Sequence, residues 1–461
     1  MAEFDVVIIG SGPGGYQAAI RAAQLKARVA VIEKGEIGGV CLNAGCIPTK
    51  TLIASAEFMA GLSKAKEFGV EIAGAKLNFP AVAERKGKIV KKLQQGISGI
   101  LKSYNITVLK GEAAFVSANE IKIYGNTETP LVSFKKCIIA SGSKTSAIPG
   151  VNIDGKTVVT STELLNLTEV PASLLVIGGG VIGTEFASLF TRLGSKVTII
   201  EALPKILANQ DNEVSEAMTA GLKKKGVEIF TASKLLGING NTAQVETPGG
   251  KKDLTAEKIL ICIGRKVSYE GLGLENAGVT LENGRIKVNL KMETSAKNIY
   301  AAGDVTGKYL LAYVASAEGI TAAENACGLD SEMDYKVIPG CIFTSPEIGS
   351  VGLTEQEARS KGLAFKTGKF PFAASGRANI LAKTEGFAKV IVDAETDGLL
   401  GVHIIGPEAA ELIHTAAMAI KMECTTAEFK RIAFNHPTLS EVVLEAVHDV
   451  HKEAIDYPKR L

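Results

Sequence analysis

One pattern occurs twice in this chain and restricts what the chain can fold into. Phe4–Ile9 (FDVVII) predicts a short buried strand. It runs into Gly10-Ser-Gly12-Pro-Gly-Gly15, an Ala-rich helical stretch (YQAAIRAAQL), and a second strand, Arg28–Ile32, ending in Glu33. Glycines allow the tight turn and let the backbone approach a pyrophosphate. The helix N-terminus offers amide donors and a favourable dipole, and an acid about 20 residues on can hold ribose hydroxyls. The pattern returns at Leu174–Ile177 (LLVI), Gly178-Gly-Gly180-Val-Ile-Gly183, the helix TEFASLFTRLG, the strand Lys196–Ile200 and Glu201. Gly10, Gly12, Gly15 and Glu33 thus recur, at a constant offset, as Gly178, Gly180, Gly183 and Glu201.

A single GxGxxG is a weak signal, because Gly-rich turns that bind nothing are common. Two copies, each with strand, glycines, helix, strand and acid in order, are a strong one. Two cradles imply two dinucleotides. The economical pair is a flavin that stays bound and a nicotinamide that exchanges. The carboxylate of Glu201 favours free ribose hydroxyls and repels a 2′-phosphate. The following ALPKIL holds one Lys and no Arg, which points to NAD rather than NADP.

Between the cradles, GGVCLNAGCIPTK places Cys41 and Cys46 with four residues between them. A metal site, a structural disulfide, a redox pair and chance are all open readings. Zinc needs four ligands at recognisable spacing. The remaining cysteines (137, 262, 327, 341, 424) are scattered singly, as small core residues are, and no metal site is expected. A disulfide between helical positions i and i+5 meets Cα atoms roughly 8–9 Å apart, whereas the bond needs less than about 7 Å. It therefore requires a distorted backbone. Gly38, Gly39, Gly45 and Pro48 supply the means, and beyond Pro48 the chain reads as a helix again. Strained disulfides are easily reduced and tend to be the catalytic ones. A nearby Lys50 would stabilise a thiolate; an exposed lysine is the bland alternative.

Far along the chain, His436-Pro-Thr-Leu-Ser-Glu441 is compatible with a base and a carboxylate that fixes its tautomer. By itself, a His and a Glu at the start of a helix are more often structural.

Taken together, these stretches resemble the pyridine nucleotide–disulfide oxidoreductases with a Cys-x4-Cys centre. The resemblance covers essentially the whole chain. It also includes IIASGS (138–143), ICIGR (261–265), TSAKNIYAAGDVTG (294–307), FTSPEIGSVGLTEQEA (343–358) and HPTLSE (436–441). Within the family it is closest to the branch that oxidises protein-bound dihydrolipoamide to lipoamide, with electrons passing through the Cys41–Cys46 disulfide and FAD to NAD+. By position, the resemblance makes Cys41 the thiol that exchanges with substrate and Cys46 the thiol beside the flavin. It makes Lys50 a flavin neighbour paired with Glu185, Asp304 the ligand of the ribityl chain, and His436 with Glu441 the base dyad. It further assigns cofactor contacts to Ala113, Ser141, Gly142, Gly264 and Ala312. In that family the base reaches the disulfide of the other subunit, which implies a homodimer. The implied partners are lipoyl domains and the core or peripheral subunit-binding domain of 2-oxo acid dehydrogenase complexes, or a lipoylated glycine-cleavage protein. Three positions depart from the usual pattern: Phe434 replaces a His, Tyr313 replaces the His of a Leu-Ala-His block, and Val40 replaces a Thr. None removes a group needed for electron or proton transfer.

The expected class is α/β: two Rossmann-like dinucleotide-binding domains (FAD and NAD) plus an α+β dimerisation domain. The expected boundaries are 1–145 (FAD), 146–270 (NAD), 271–338 (central, completing the flavin site) and 339–461 (interface). A net charge of +2 gives no basis for a nucleic-acid or membrane partner. No apolar run reaches the ~18 residues of a membrane helix. MAEFDVVIIG lacks the basic start of a signal peptide, so a cytoplasmic location is expected. Two rivals share the scaffold. Mercuric reductases carry paired cysteines that HKEAIDYPKRL lacks, and glutathione-type reductases use NADPH, against which Glu201 argues. A purely structural subunit is the rival of another class; intact Cys41, Cys46, His436 and Glu441 speak against it.

Overall fold

The protein is described from a computed structural model, covering residues 2–458. It divides into two compact units, one of Met1–Ala147, Ser161–Glu169 and Gly264–Asp334, the other of Ile148–Thr160, Val170–Ile263 and Tyr335–Leu461.

The first unit is built on a seven-stranded sheet. Its elements begin with β1 (Ala2–Ile9), α1 (Pro13–Gln24), β2 (Val29–Glu33), α2 (Gly39–Ala44), α3 (Cys46–Leu62) and α4 (Phe79–Ser103). They continue with β3 (Thr107–Lys110), β4 (Glu112–Ser117), β5 (Glu120–Tyr124) and β6 (Leu131–Ile139). The order is β3-β2-β1-β6-β5-β4, with β1, β2, β3 and β6 parallel. Val6 to Ile9 are all buried, as a parallel strand covered on both faces requires. The edge of β6 away from β1 is shared. β5 pairs its first residues (Ile121 opposite Val132) and the later strand Ile299–Ala301 pairs its last (Ile299 opposite Cys137). Cys137 is fully buried in this core, as a lone small residue should be.

α1 is lined with Ala18, Ala19 and Ala22, all fully buried. Such small residues let the helix Ala312–Ala326 pack close: a β-carbon on Gly319 would lie 2.1 Å from the Gly14 carbonyl oxygen. The lysine-rich stretch 76–107 forms α4, whose faces are largely exposed.

The second unit contains a parallel sheet in the order Glu228–Phe230, Lys196–Ile200, Ser173–Ile177, Lys258–Ile261, Val158–Val159. The helix Val181–Arg192 follows its central strand, repeating β1-α1-β2. A three-stranded antiparallel sheet (234–255) lies beyond it. Residues 340–406 form a five-stranded antiparallel sheet, on which the helices Ala409–Lys421 and Glu441–Asp449 pack. Phe370, Phe372 and Phe429 are buried there, each worth roughly 1.5–3 kcal/mol of hydrophobic stabilisation.

Candidate active site

Both glycine cradles are closed by the same contact. A β-carbon on Gly15 would lie 1.9 Å from the Gly10 carbonyl oxygen, and one on Gly183 would lie 1.9 Å from that of Gly178. Gly10 (φ +96°) and Gly178 (φ +115°) turn the chain with left-handed backbone, which only glycine adopts cheaply. Gly12 and Gly180 cap their helices without any side-chain hydrogen bond. The first amides of α1 and of Val181–Arg192 therefore find no capping side chain, and each helix presents its positive end at the carboxyl edge of its sheet.

The two acids are placed alike. Glu33 is buried, its Oε2 accepting from Ser11 N (2.8 Å) and Ser11 Oγ (2.7 Å) and its Oε1 from Gly35 N (2.6 Å). Glu201 is buried, its Oε2 accepting from Gly179 N (2.6 Å) and its Oε1 from Leu203 N (2.7 Å). A carboxylate offers about four acceptor positions, so each retains capacity for a ribose hydroxyl. The glycine spacing, uncapped helix starts and tethered acids fit two dinucleotides. Lys205, the one cation of ALPKIL, donates to Gln210 O (2.9 Å) and Asn212 Oδ1 (2.6 Å).

The cysteines adjoin the first cradle. Gly38 N donates to Ser11 O (3.1 Å), and a β-carbon on Gly39 would lie 2.6 Å from Gly12 Cα. Gly45 (φ −145°, ψ −116°) separates α2 from α3, so the two sulfurs sit on either side of a helix break. No β-carbon fits at Gly45, where it would lie 2.9 Å from Val40 O. Thr49 holds the break by donating to Gly45 O from both N (3.1 Å) and Oγ1 (2.7 Å). The helix starts at Cys46, two residues before Pro48. Pro48 lies in the first turn, where an N–H has no intrahelical partner to lose.

Cys41 and Cys46 are free thiols here, the reduced form of a pair. Cys41 is half-buried and hydrogen-bonded to Cys46, and its thiol is pushed well above the ordinary range. The bond to Cys46 is the main cause, burial next, and the positive charge of Lys50 opposes both. Cys46 opens a seventeen-residue helix, where the dipole favours a thiolate. The pair is therefore asymmetric, with the proton held on Cys41.

The other residues singled out from the first unit lie around the ends of β1 and β6. A β-carbon on Gly10 would lie 2.4 Å from Ala140 O. Ser141 Oγ donates to Ser268 O (2.5 Å), and Gly142 is left-handed (φ +74°). Asp304 accepts from Ser143 Oγ, and Arg265 binds that serine through Nε (2.7 Å) and its carbonyl through Nη2 (2.8 Å). Gly264 (φ +130°) accepts from Ser146 N. Gly303 N donates to the buried Glu318 (2.7 Å) on the helix that Ala312 begins. Ala113 packs in the core within β4, two residues after Gly111, whose N donates to Glu33 O (3.0 Å). Sequence reading passed over Ser143, Arg265 and Glu318. Glu318 could have been flagged as the one acid on a helix face otherwise lined by Ala, Gly, Val, Thr and Asn.

In the second unit His436 Nδ1 lies 2.8 Å from Glu441 Oε1, and Glu441 Oε2 accepts from Thr438 N (2.7 Å). The carboxylate thus holds the Nδ1 edge, and Nε2 is left as the acceptor nitrogen of an exposed ring. Phe434, at the first departure, is half-buried and packs against the core with its ring tilted on Phe429, centroids 5.6 Å apart. Tyr313 and Val40 are exposed. Glu185 is buried and accepts from Phe343 N (2.9 Å). Lys50 and Glu185 belong to different units, as do the cysteines and His436.

The profile of the pyridine nucleotide-disulphide oxidoreductases matches residues 4–319, and that of their dimerisation domain matches residues 338–447. Dihydrolipoyl dehydrogenase of Thermus scotoductus is 44% identical over 463 residues, and that of Bacillus subtilis 42% over 471, each covering 99% of both chains. Among solved structures, LpdA from Mycobacterium tuberculosis has a TM-score of 0.89 at 28% identity. The HOCl-induced flavoprotein disulfide reductase RclA from Escherichia coli, as its Cu(II) complex, has a TM-score of 0.88 at 31% identity. Both alignments cover 97% of this chain and 99% of the other. Twin cradles, a cysteine pair across a helix break and full-length similarity agree: this chain belongs to the pyridine nucleotide–disulfide oxidoreductase family.

Proposed function

We propose that the protein is a dihydrolipoyl dehydrogenase that works as a homodimer, oxidising protein-bound dihydrolipoamide with NAD+ as final acceptor. The observation that carries this is the asymmetric Cys41–Cys46 pair beside the first cradle. Full-length similarity to curated enzymes of that activity supports it.

The dithiol substrate is bound with one thiol against Nε2 of His436 from the partner subunit, which takes its proton. Glu441 holds the ring and stabilises the imidazolium. The substrate thiolate attacks Cys41 Sγ, the Cys41–Cys46 bond breaks, and Cys46 leaves as a thiolate favoured by the α3 dipole. The second substrate thiol, deprotonated in turn, attacks the substrate-side sulfur of the mixed disulfide. Lipoamide leaves with its ring disulfide formed, and Cys41 takes back a proton. The substrate has lost two electrons and two protons, and the enzyme pair is reduced. When bound, FAD and NAD+ supply two-electron acceptor chemistry, with the electrons ending in NADH and one proton released. Around that chemistry Gly10, Gly12, Gly15, Glu33 and Asp304 hold FAD, with Lys50, Ala113, Ser141, Gly142 and Ala312 as further contacts. Gly178, Gly180, Gly183, Glu201 and Gly264 would hold NAD(H).

In this reading residues 1–145, 146–270, 271–338 and 339–461 are the FAD, NAD, central and interface domains. The partners are lipoyl domains and a subunit-binding domain of a 2-oxo acid dehydrogenase complex, or a lipoylated glycine-cleavage protein. A cytoplasmic location belongs to this reading; among the described residues no helix is long and apolar enough to cross a membrane.

The test is anaerobic stopped-flow mixing of the yellow protein with dihydrolipoamide. Appearance of a long-wavelength band, then NADH on adding NAD+ but not NADPH on adding NADP+, is the expected result. A protein reduced by a pyridine nucleotide but not by dihydrolipoamide would sink the substrate assignment.

A further inference from the structure

The antiparallel sheet of the second unit carries a polar row on one face. Ser350, His403, Lys389 and Lys369 are direct cross-strand neighbours on four adjacent strands. Lys389 is 2% exposed, in a strand whose other residues up to Val392 are buried apolar. Its ammonium is held by three carboxylates: Asp211 at 3.0 Å, Glu213 at 2.7 Å and Glu355 at 2.6 Å. A buried cation is tolerable only with such compensation.

Two of these acids come from the end of the segment that starts at Glu201, the ribose-binding acid of the second cradle. The row receives Gln210, Asp211 and Glu213. Gln210 Oε1 accepts from Ser350 Oγ (2.7 Å), Asp211 meets Lys389, and Glu213 meets both Lys389 and Lys369. Asp211 Oδ2 also accepts from Glu355 N (3.1 Å), and Gln356 Nε2 donates to Gln210 O (2.8 Å).

The same segment forms one wall of the cradle. Leu207, buried and left-handed (φ +49°), donates from N to Gly179 O at 2.8 Å. Fully buried Ile206 lies against Gly179, 2.8 Å from where its β-carbon would be. A left-handed leucine is strained and persists only where its surroundings over-determine it. The hold on Gln210 and Asp211 supplies that constraint.

We infer that Lys389 is a positioning residue for the nicotinamide dinucleotide: it clamps the 201–213 segment to the sheet and so sets the Gly179–Glu201 floor of the second cradle. This rests on the proposed cofactor reading of that cradle. It predicts that loosening the clamp weakens NAD(H) binding while the flavin and the thiol pair, which belong to the other unit, are untouched.

The experiment is calorimetric titration of the flavin-loaded protein with NADH, alongside reduction by dihydrolipoamide alone. Lys389→Met is expected to weaken NADH about tenfold or more, as displaced binding groups do. Flavin content and the rate of thiol reduction should stay at wild-type level, and Lys389→Arg should restore part of the affinity. Removing the ammonium strands three carboxylates, so Gln210→Ala with Ser350→Ala provides a second variant that leaves no charge unpaired. Folded variants with wild-type NADH affinity overturn the inference. Wild-type protein that binds NADH but is not reduced by dihydrolipoamide overturns the proposed substrate, and the affinity comparison still decides this one. Wild-type protein with no NADH affinity overturns the inference together with the cofactor reading.

Discussion

Cys41 is hydrogen-bonded to Cys46 across the break at Gly45, and the bond keeps the proton on Cys41. The two sulfurs of one short motif are thereby given different tasks. Cys46 opens α3, where the helix dipole favours negative charge. Cys41 is the thiol that returns to neutrality after exchange.

Single replacements should separate these tasks. Cys41→Ser should keep a long-wavelength thiolate–flavin band in the resting protein yet show no dihydrolipoamide turnover. Cys46→Ser should lose both while retaining flavin. Visible spectra and steady-state rates of the two variants check this, and equal spectra would contradict the asymmetry.

His436 is expected to govern proton removal from the substrate. His436→Gln should lower dihydrolipoamide oxidation about 10²–10⁴-fold. Glu441→Gln, which keeps the hydrogen-bonding shape but not the charge, should lose less. Flavin reduction by NADH should be unaffected in both, because that step needs no substrate base. A uniform loss in both assays would point to a structural role.

The identical 1.9 Å contacts make Gly15 and Gly183 equivalent in steric terms but separable in function. Gly183→Ala should yield a yellow protein with full flavin and NADH affinity lowered at least about tenfold. Gly15→Ala should yield a protein poor in flavin. Flavin content and NADH titration distinguish them.

The Lys389 cluster makes stability pH-dependent at both extremes. Burial raises Asp211 and Glu213, but the Glu355 amide on Asp211, the Lys369 bond on Glu213 and the Lys389 charge on both outweigh it, and both carboxyls end below their ordinary 3.8 and 4.5. Their contribution is complete above those values and is lost as pH falls through the depressed range. Burial lowers Lys389, but Glu213, Glu355 and Asp211 raise it to about 12 from 10.5. Its contribution is complete below 10.5 and is lost as pH rises through about 12. The melting temperature should fall below about pH 4 and above about pH 10.5, and Lys389→Met should flatten both wings.

Much of this was legible because the signals are local. The strands around Gly10 and Gly178 were placed to within two residues at each end, since parallel strands buried on both faces read as unbroken apolar runs. The helix begins at Cys46, three residues before the Thr49 start that the sequence reading implied, because proline is harmless in a first turn. What stayed hidden was long-range pairing. The lone Lys in FAKVIVD is visible as an oddity, but its partners Asp211 and Glu355 are set by topology. The Ser143–Asp304–Arg265 contacts are likewise joined only when Ile299–Ala301 returns to β6.

That return has a consequence for biosynthesis. β6 leaves the ribosome with one edge half-covered, and the stretch from Cys137 to Ile139 waits for Ile299–Ala301. At about 5–20 residues per second the wait is roughly ten to thirty seconds. Throughout it a nascent chain carries an unpaired apolar strand edge, the kind that recruits other strands. The sheet of the first unit is therefore finished only after Val170–Ile263 of the second unit has been translated, and chaperone dependence should concentrate in that interval.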